Sequence, residues 1–250
     1  MTIDPRTEIC VVIPSYNNGG TVVDVARRAL EQLPQVIVVN DGSRDDTVSA
    51  LEKSGLPVTV LTHSENRGKG IALKTGLEYA RSKGYKYAIT LDSDGQHYPE
   101  DIPVFLKAIE DCPGALVLGS RNLQSENMPG RNTFANKFSN FWFRLQTSQN
   151  IPDTQTGFRA YPLDRLPSLR LLTSRYEAEL EMLVFSAWRG TKLLPVGIRV
   201  YYPAPEERVS SFRPGYDFFR ISVLNTILCI LAVVYGYPRM LIERLRKSAR

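Results

Sequence analysis

The sequence is poor in cysteine, and it lacks the motifs that would mark a zinc module or a P-loop. Cys10, Cys112 and Cys229 are widely separated and form no CxxC pair. This spacing argues against a disulfide framework and a zinc site, and it fits a reducing compartment. The GxxxxGK[ST] loop is absent, which excludes a Walker-type nucleotide site. The polar segment 1–8 has no apolar stretch, so we expect no signal peptide.

Basic charge is scarce over most of the chain and concentrated at its carboxyl end. The formal net charge is +5 for 250 residues. Residues 239–250 hold five Arg or Lys residues and one Glu, so this tail carries +4 and the other 238 residues carry only +1. A nucleic-acid-binding surface needs basic residues spread over a face or along a helix. We therefore expect no nucleic-acid partner.

An uncharged segment precedes the basic tail. No charged residue lies between Arg220 and Arg239, and residues 221–237 are mostly apolar. This length is at the lower limit for a membrane-spanning helix, and a buried core helix is the alternative. The flanking aromatic residues and the basic tail favour a membrane interface.

Short apolar strands alternate with helices in the first half of the chain. The predicted strands are Glu8–Pro14, Gln35–Asn40, Val58–Leu61, Tyr87–Leu91 and Ala115–Gly119, and the helices are about Thr21–Leu33, Asp46–Lys53, Gly70–Ser82 and Glu100–Asp111. Such alternation predicts an α/β fold with a mostly parallel sheet flanked by helices. Ligands bind such sheets at the carboxyl ends of the strands.

Polar side chains follow each predicted strand at this edge, most clearly in the sequence Asp92-Ser93-Asp94-Gly95-Gln96. Alternate residues of an extended segment point the same way, so Asp92 and Asp94 can converge. Carboxylate and amide oxygens suit Mg²⁺ or Mn²⁺, which bind phosphate oxygens in turn. An Asp/Gly turn without a ligand is the alternative reading of this motif.

The second half of the chain has a different pattern. Its predicted elements are a helix at Asn132–Thr147, an extended segment at Thr156–Tyr161, a helix at Tyr176–Trp188 and an extended segment at Lys192–Tyr202. The first helix carries a stripe of Phe134, Phe138 and Phe141. We expect this stripe to face the core, and a lipid- or base-contacting face is the alternative.

Seven short motifs occur in order between residues 8 and 202. They are VIPSYN (12–17), VNDGS (39–43), NRGKG (66–70), DSDGQH (92–97), GSR (119–121), Asp153 with TGFR (156–159), and YEAEL (176–180). Together they resemble family 2 glycosyltransferases with a GT-A fold, and the branch they are most similar to is the dolichyl- or polyprenyl-phosphate sugar transferases. The resemblance implies inverting, metal-dependent transfer from a nucleotide-diphosphate sugar to a membrane lipid-linked acceptor, either polyprenyl phosphate or a glycolipid.

The resemblance also implies roles for individual residues. The nucleotide-sugar-binding residues would be Pro14, Tyr16, Asp41, Lys69, Asp92, Arg121, Arg131 and Arg208; the metal site would use Asp94 and Gln96 with Asp92; and the catalytic base would be Asp153 or Glu179. A hydroxyl acceptor needs such a base, whereas an anionic lipid phosphate needs little help. Each of three residues also has an alternative role that involves no ligand. Asp41 could be a turn residue, and Arg131 could be a solvated loop residue. Glu179 could lie in the first turn of a helix, where negative charge is favoured.

Two other function classes remain open. A nucleotidyltransferase of similar architecture usually has a basic, glycine-rich loop after its first strand, and residues 15–20 contain no basic residue. A non-catalytic nucleotide-sugar-binding membrane scaffold is the other class. The complete set of candidate metal and base residues argues against it.

We expect a GT-A domain at residues 1–205 and a membrane-associated segment at 206–250, with its apolar part at 221–237 and its basic tail at 239–250. Nucleotide sugars are made in the cytoplasm, so the catalytic domain should lie at the cytoplasmic membrane face. A single crossing would place the basic tail outside, against the positive-inside tendency. The sequence therefore predicts an in-plane or re-entrant helix with both ends cytoplasmic.

Overall fold

A computed structural model describes residues 3–121, 130–166, 171–201 and 214–248 of the chain. In chain order the elements are α1 (Pro5–Glu8), β1 (Ile9–Ser15), α2 (Val22–Leu30), β2 (Val36–Asn40), α3 (Thr47–Ser54), β3 (Thr59–Thr62), α4 (Lys69–Ser82), β4 (Tyr87–Thr90), a 3₁₀ turn (Pro99–Asp101), α5 (Ile102–Asp111), β5 (Leu116–Arg121), α6 (Gly130–Thr147), β6 (Arg159–Pro162), α7 (Glu177–Trp188), β7 (Leu193–Ile198), α8 (Pro214–Leu231), a π-helical turn (Ala232–Gly236) and α9 (Tyr237–Ser248).

The strands form one sheet in the order β3-β2-β1-β4-β6-β5-β7. All neighbours are parallel except β6, which runs antiparallel to β4 and β5. The predicted α/β fold with a mostly parallel sheet is therefore confirmed. Because β6 starts where β4 ends, with Arg159 paired to Thr90, the loop before β6 lies beside the carboxyl end of β4.

Apolar side chains pack on both faces of the sheet, as expected for a sheet covered by helices. In β1, Cys10 and Val12 face one core with helices α4, α7 and α8. Ile9, Val11 and Ile13 face the other core, together with α2 and α5. Consecutive residues of a strand point to opposite faces, so the apolar run of β1 belongs to both layers.

The predicted orientation of the α6 aromatic stripe is wrong for Phe141. Its side chain is 60% exposed, Phe138 is only half-buried, and the side chain of Phe134 lies outside the described residues. The buried face of α6 carries Asn136 and Phe143 instead. The reason is that polar residues on this face find partners inside the protein, which keeps the helix rotated away from its phenylalanine stripe.

The carboxyl-terminal helix, from α8 through the π-helical turn to α9, packs along α6 and α7. Leu224, Leu228 and Ala232 are buried in the same core as Trp188 of α7. The Nε2 group of Gln146 in α6 donates to Oδ1 of Asn225 at 2.9 Å. Within the described ranges, one helix, Phe219–Arg246, is long and apolar enough to cross a membrane. The predicted domain boundary at 205/206 falls outside the described residues and stays a prediction.

Candidate active site

The site lies where β1, β2 and β4 end, and the loop after β4 is its centre. Two contacts from the β1–α2 region fix this loop at Ser93. The Thr21 hydroxyl donates to the Ser93 carbonyl at 2.6 Å, and Asn18 Nδ2 donates to Ser93 Oγ at 2.9 Å. Both hydrogen bonds hold the middle of the loop between Asp92 and Asp94, and neither bond uses a carboxylate of these two residues.

Lys69, at the start of α4, joins two of the predicted site residues. Its Nζ lies 2.7 Å from Oδ1 of Asp92 and 2.9 Å from Oε2 of Glu179. Burial alone would lower the pKa of Lys69, but the two carboxylates outweigh burial and raise it. Burial alone would likewise raise the pKa of Asp92, yet the nearby ammonium lowers it. Lys69 and Asp92 therefore form a charged pair near neutral pH.

Two missing side chains allow this close approach. A Cβ on Gly70 would lie 2.3 Å from Cβ of Ala178, so α4 and α7 meet where Gly70 leaves room. A Cβ on Gly157 would lie 2.7 Å from Oδ2 of Asp92. Real Cβ atoms do not approach this closely. At Gly70 a Cβ would also meet the backbone carbonyl of Arg175, so glycine is required there, whereas at Gly157 a Cβ would displace the Asp92 carboxylate. These contacts bring Lys69 of α4, Glu179 of α7 and the loop after β4 together.

Asp94 lies near enough to Asp92 to feel its charge. Burial, and then the charge of Asp92, raise the pKa of Asp94 to about 6. Its Oδ1 accepts a hydrogen bond from the backbone N–H of Gln96, at 3.0 Å. Two neighbouring carboxylates that repel each other form a site that a divalent cation would stabilise.

The donor set at this site fits Mg²⁺ or Mn²⁺ that is shared with a substrate. Among the described residues, no group of three His, Cys, Asp or Glu side chains is placed to hold a metal alone. Mg²⁺ is usually held by one or two carboxylates, waters and substrate phosphates rather than by a complete protein cage. Asp92, Asp94 and the Gln96 amide match that partial set of hard oxygen ligands.

Asp41, predicted to lie against a nucleotide, has both carboxylate oxygens engaged by its own chain. Oδ1 accepts from Arg67 N at 3.0 Å and lies 2.7 Å from His63 Nδ1, while Oδ2 accepts from Gly68 N at 2.7 Å. The side chain thus fixes the loop that leads into Lys69. A nucleotide contact by Asp41 stays a prediction.

Asp153 and Arg121, predicted as a base and a phosphate contact, form an ion pair. Arg121 donates from Nε to Oδ2 at 2.6 Å and from Nη2 to Oδ1 at 2.9 Å. Asn136 Nδ2 also donates to Oδ1, at 2.6 Å. Burial alone would raise the pKa of Asp153, but Arg121 outweighs burial and lowers it. A carboxylate that accepts this many hydrogen bonds is a weak base, so the pair is suited to fixing the Arg121 guanidinium.

Glu179 presents a different environment. Its Oε2 faces Lys69, whereas Oε1 is buried without a hydrogen-bond partner in the described part of the chain. A buried polar atom without a partner destabilises the fold by about 1–3 kcal/mol, and such atoms in native proteins often indicate a functional role. Of the two predicted bases, Glu179 is therefore the one with an oxygen available for a proton.

Two supporting residues were not predicted as part of the site. The Arg159 guanidinium is fully buried and donates to the carbonyls of Thr154, Thr156 and Glu179 at 2.6–2.9 Å. It therefore ties the loop before β6 to α7. His97 is also buried, which lowers its pKa to about 4, so it stays neutral beneath the loop after β4. In the sequence, the position of Arg159 and His97 inside two of the seven motifs was the one indication that they belong to the site.

The remaining predicted residues lie at the edges of the site or outside the described part. Pro14 is buried in β1 opposite Val39, and the half-buried Tyr16 follows it at the end of the strand. The side chains of Arg131 and Arg208 are outside the described residues, so their phosphate contacts stay predictions.

Comparisons with known proteins agree with this fold. Ligands of α/β proteins usually bind at the strand ends of the sheet, and the comparisons identify the class of this protein as a glycosyltransferase. The family described as Glycosyl transferase family 2 matches residues 10–164, and the chain belongs to this family.

The relatives include enzymes named for lipid phosphates. The chain is 30% identical to polyprenol monophosphomannose synthase of Mycolicibacterium smegmatis, over 68% of this chain and 67% of that protein. It is 28% identical to UDP-N-acetylglucosamine–dolichyl-phosphate N-acetylglucosaminyltransferase of Methanococcus voltae, over 78% of this chain and 86% of that protein.

Among solved structures, the chain resembles glucosyl-3-phosphoglycerate synthase of Mycobacterium tuberculosis in complex with Mn²⁺, UDP and phosphoglyceric acid. The TM-score is 0.64 at 20% identity, and the match covers 90% of this chain and 78% of that one. At this identity the likeness concerns the fold alone.

Proposed function

We propose that this glycosyltransferase moves a sugar from a nucleotide-diphosphate sugar to a polyprenyl-phosphate-type lipid, with inversion at the anomeric carbon. The observation that carries the proposal is the Asp92–Lys69–Glu179 cluster at the carboxyl ends of the strands. In this cluster Asp92, a candidate metal and phosphate ligand, lies beside Glu179, whose Oε1 has no hydrogen-bond partner in the described part of the chain. The relatives named for polyprenol and dolichyl phosphate support the class of acceptor.

On the donor side, Asp94 and Gln96 would hold Mg²⁺ or Mn²⁺, with Asp92 beside them. The metal would offset the negative charge of the diphosphate and of the departing nucleotide. Arg121, whose guanidinium is oriented by Asp153, would contact phosphate oxygens, since a guanidinium matches phosphate geometry. Pro14 and Tyr16 would line the nucleobase pocket at the end of β1.

In the transfer step, an acceptor oxygen attacks the anomeric carbon on the side opposite the nucleotide. The new carbon–oxygen bond forms as the bond to the β-phosphate oxygen breaks. The nucleoside diphosphate leaves with that electron pair. A lipid phosphate is already anionic at neutral pH, so its attack releases no proton. Glu179 would then act mainly by holding Lys69 against Asp92.

A glycolipid hydroxyl is a second candidate acceptor, and one observation favours it. The Oε1 atom of Glu179 is buried without a partner among the described residues. A hydroxyl loses its proton as it attacks, and a carboxylate within hydrogen-bond reach can accept it. The engaged carboxylate of Asp153 makes it the weaker candidate for this role.

We place the enzyme at the cytoplasmic face of a membrane. The lipid acceptor has to be reached at a bilayer, and the donor class is made in the cytoplasm. The apolar helix Phe219–Arg246 supports membrane association by its length and composition.

The first experiment is donor binding by thermal shift, with UDP- and GDP-sugars and with or without Mn²⁺. A ligand that binds only the folded state raises the unfolding temperature by mass action. We expect a metal-dependent shift with one nucleobase, and its loss in Asp94→Asn. No shift with any donor, from well-folded protein, would contradict the proposal.

Transfer is then measured with the donor that binds. A labelled sugar that appears on polyprenyl phosphate and is released by mild acid identifies a glycosyl phosphate, while an acid-stable product on a glycolipid identifies the hydroxyl acceptor. Pyrophosphate release with a sugar phosphate and a nucleoside triphosphate would instead indicate a nucleotidyltransferase. Binding without any transfer would favour a non-catalytic scaffold.

A further inference from the structure

The carboxyl-terminal helix exposes apolar side chains along one side of its whole length. Along α8 and the π-helical turn, exposed apolar residues recur every three or four positions, which keeps them on one side of a helix. We call this surface, with its continuation on α6, the outer face; its main residues are Phe141, Leu145, Ile230, Val233, Leu241 and Leu245, each 48–66% exposed. Contiguous apolar surface of this extent is rare on soluble monomers and usually marks an interaction site.

The opposite side of the same helix is fixed to the catalytic domain. Leu224, Leu228 and Ala232 lie in the core, and Asn225 is bonded to Gln146 of α6. Gly236 is packed so closely that a Cβ there would lie 2.4 Å from the Trp188 ring. A helix held along its length by the domain cannot cross a bilayer without losing these contacts.

The outer face extends over two helices, which makes it a surface rather than a ridge. The Tyr237 hydroxyl in α9 donates to the Leu145 carbonyl near the end of α6. This bond places Leu145, and Phe141 one turn earlier, beside the apolar side of α8 and α9. The misplaced aromatic residue of α6 is thereby explained, because Phe141 belongs to the outer face and not to the core.

The basic residues near the outer face indicate which kind of partner it binds. Residues Tyr237–Ser248 of α9 include Arg239, Arg244, Arg246 and Lys247, opposed by Glu243 alone. Arg246 is 64% exposed next to Leu245. An apolar stripe flanked by basic residues matches the interface of a bilayer with anionic lipids, where acyl chains meet negative headgroups.

The outer face begins close to the active site. Arg220, at the first turns of the described part of α8, donates from Nε to Oε1 of Glu177 at 2.8 Å. Glu177 precedes Glu179 by two residues in the first turn of α7. Phe219, 66% exposed, lies next to Arg220 at the same end of the outer face.

From these contacts we infer that the outer face docks flat on an anionic bilayer, as a monotopic surface that does not span it, with the Glu179 end of α7 at the headgroup layer. The inference deepens the proposed function, because it states how a lipid acceptor reaches the site, but it rests on packing and charge that are independent of the reaction.

The test is flotation of the full chain with vesicles of phosphatidylcholine alone or mixed with phosphatidylglycerol. We expect binding to the anionic vesicles, weaker at high salt because exposed charges are screened. Ile230→Ser with Val233→Ser should reduce the partition coefficient about tenfold or more, since each buried methylene contributes substantially. Arg244→Gln with Arg246→Gln should reduce it about tenfold or more on anionic vesicles only.

The control is Val104→Ser, at a 41% exposed position of α5 in the layer on the other side of the sheet, and it should bind like the parent. Alkaline carbonate should release the bound protein, as expected for a surface protein. Resistance to carbonate, or unchanged binding of the Ile230/Val233 variant, would overturn the inference. So would a dimer in solution that the same variant dissociates, because the face would then be covered by a second copy.

The proposed function can fail separately from this inference. Donor thermal shift requires no membrane and reports on the nucleotide-sugar site alone. Vesicle binding without a donor shift would leave the docking surface intact and contradict the proposed reaction.

Discussion

The ammonium of Lys69 lies 2.9 Å from a carboxylate oxygen of Glu179, although the two residues are 110 positions apart. The same ammonium also contacts Asp92. One cation thus connects the loop after β4, the start of α4 and the first turn of α7. The two carboxylates would repel each other without it, so Lys69 is central to the stability of the site as well as to its geometry.

Replacing Lys69 by Met should lower both activity and stability. Removing one partner of a buried ion pair costs about 3–5 kcal/mol, and we expect the lower end because the Lys69 side chain retains 18% exposure. Chemical denaturation measures the free energy of unfolding. The double variant Lys69→Met/Glu179→Gln should recover part of the stability and none of the activity. An unchanged unfolding free energy in Lys69→Met would contradict the role of the bridge.

Replacing Gly70 by Ala should destabilise the protein by about 1–3 kcal/mol, as overpacking does. At an unobstructed helix position the same change stabilises by up to about 1 kcal/mol, so the sign of the effect reports the contact with Ala178. The matched control is Gly215→Ala in the first turn of α8, because a Cβ there meets no described atom within 4 Å. Equal unfolding free energies for the two variants would count against close packing of α4 on α7.

Substitutions of the two predicted bases, Asp153 and Glu179, should change the kinetic constants in different ways. Asp153→Asn removes the charge that holds Arg121, so we expect a raised KM for the donor and a smaller change in kcat. Glu179→Gln should lower kcat about 100-fold with a hydroxyl acceptor, the range for loss of a general base. With a phosphate acceptor its effect on kcat should be much smaller. A larger kcat effect from Asp153→Asn would reverse the assignment.

Asp94→Asn should weaken donor binding at least tenfold in the presence of Mn²⁺ and leave binding without metal almost unchanged. The folded protein without metal should be as stable as the parent or more so, because the change removes repulsion between Asp94 and Asp92. Titration calorimetry measures the affinity, and denaturation measures the stability. Metal-dependent binding at full strength in this variant would place the metal elsewhere.

Cys10 should be inert to thiol reagents in the folded protein at pH 8. It is fully buried in β1, and burial raises its pKa to about 12, while the thiolate is the reactive form. Cys112 and Cys229 are both half-buried and should react first. Alkylation followed by mass spectrometry gives the order, and unfolded protein, in which all three react, is the control. Rapid modification of Cys10 in the native state would show that β1 is not protected.

Some features of the site were accessible from the sequence. Parallel strands bring their carboxyl ends to one edge, so the position of Asp92 and Asp94 after an apolar strand predicts the candidate site at that edge. The close approach of α7 to α4 at Gly70 became visible only in the structure.

Other features depend on contacts between distant segments. Asp41 and Arg121 looked available for ligands, but each forms strong bonds within the protein. The sequence predicts an extended segment at Thr156–Tyr161, but the antiparallel direction of β6 and the burial of Arg159 depend on pairing with distant segments. Contacts between distant segments also explain why the predicted core position of Phe141 is wrong, because polar contacts on the opposite face of α6 orient this helix.

The sequence by itself determined the α/β alternation, the acidic strand end and the apolar segment with its basic tail, because these depend on periodicity and on residues adjacent in the chain. Only the tertiary structure decided which charges are paired, which of the two predicted bases has an oxygen without a partner in the described part of the chain, and which side of the last helix is exposed. Ion pairing and burial are set by residues far apart in the chain, and only the folded packing brings those residues into contact.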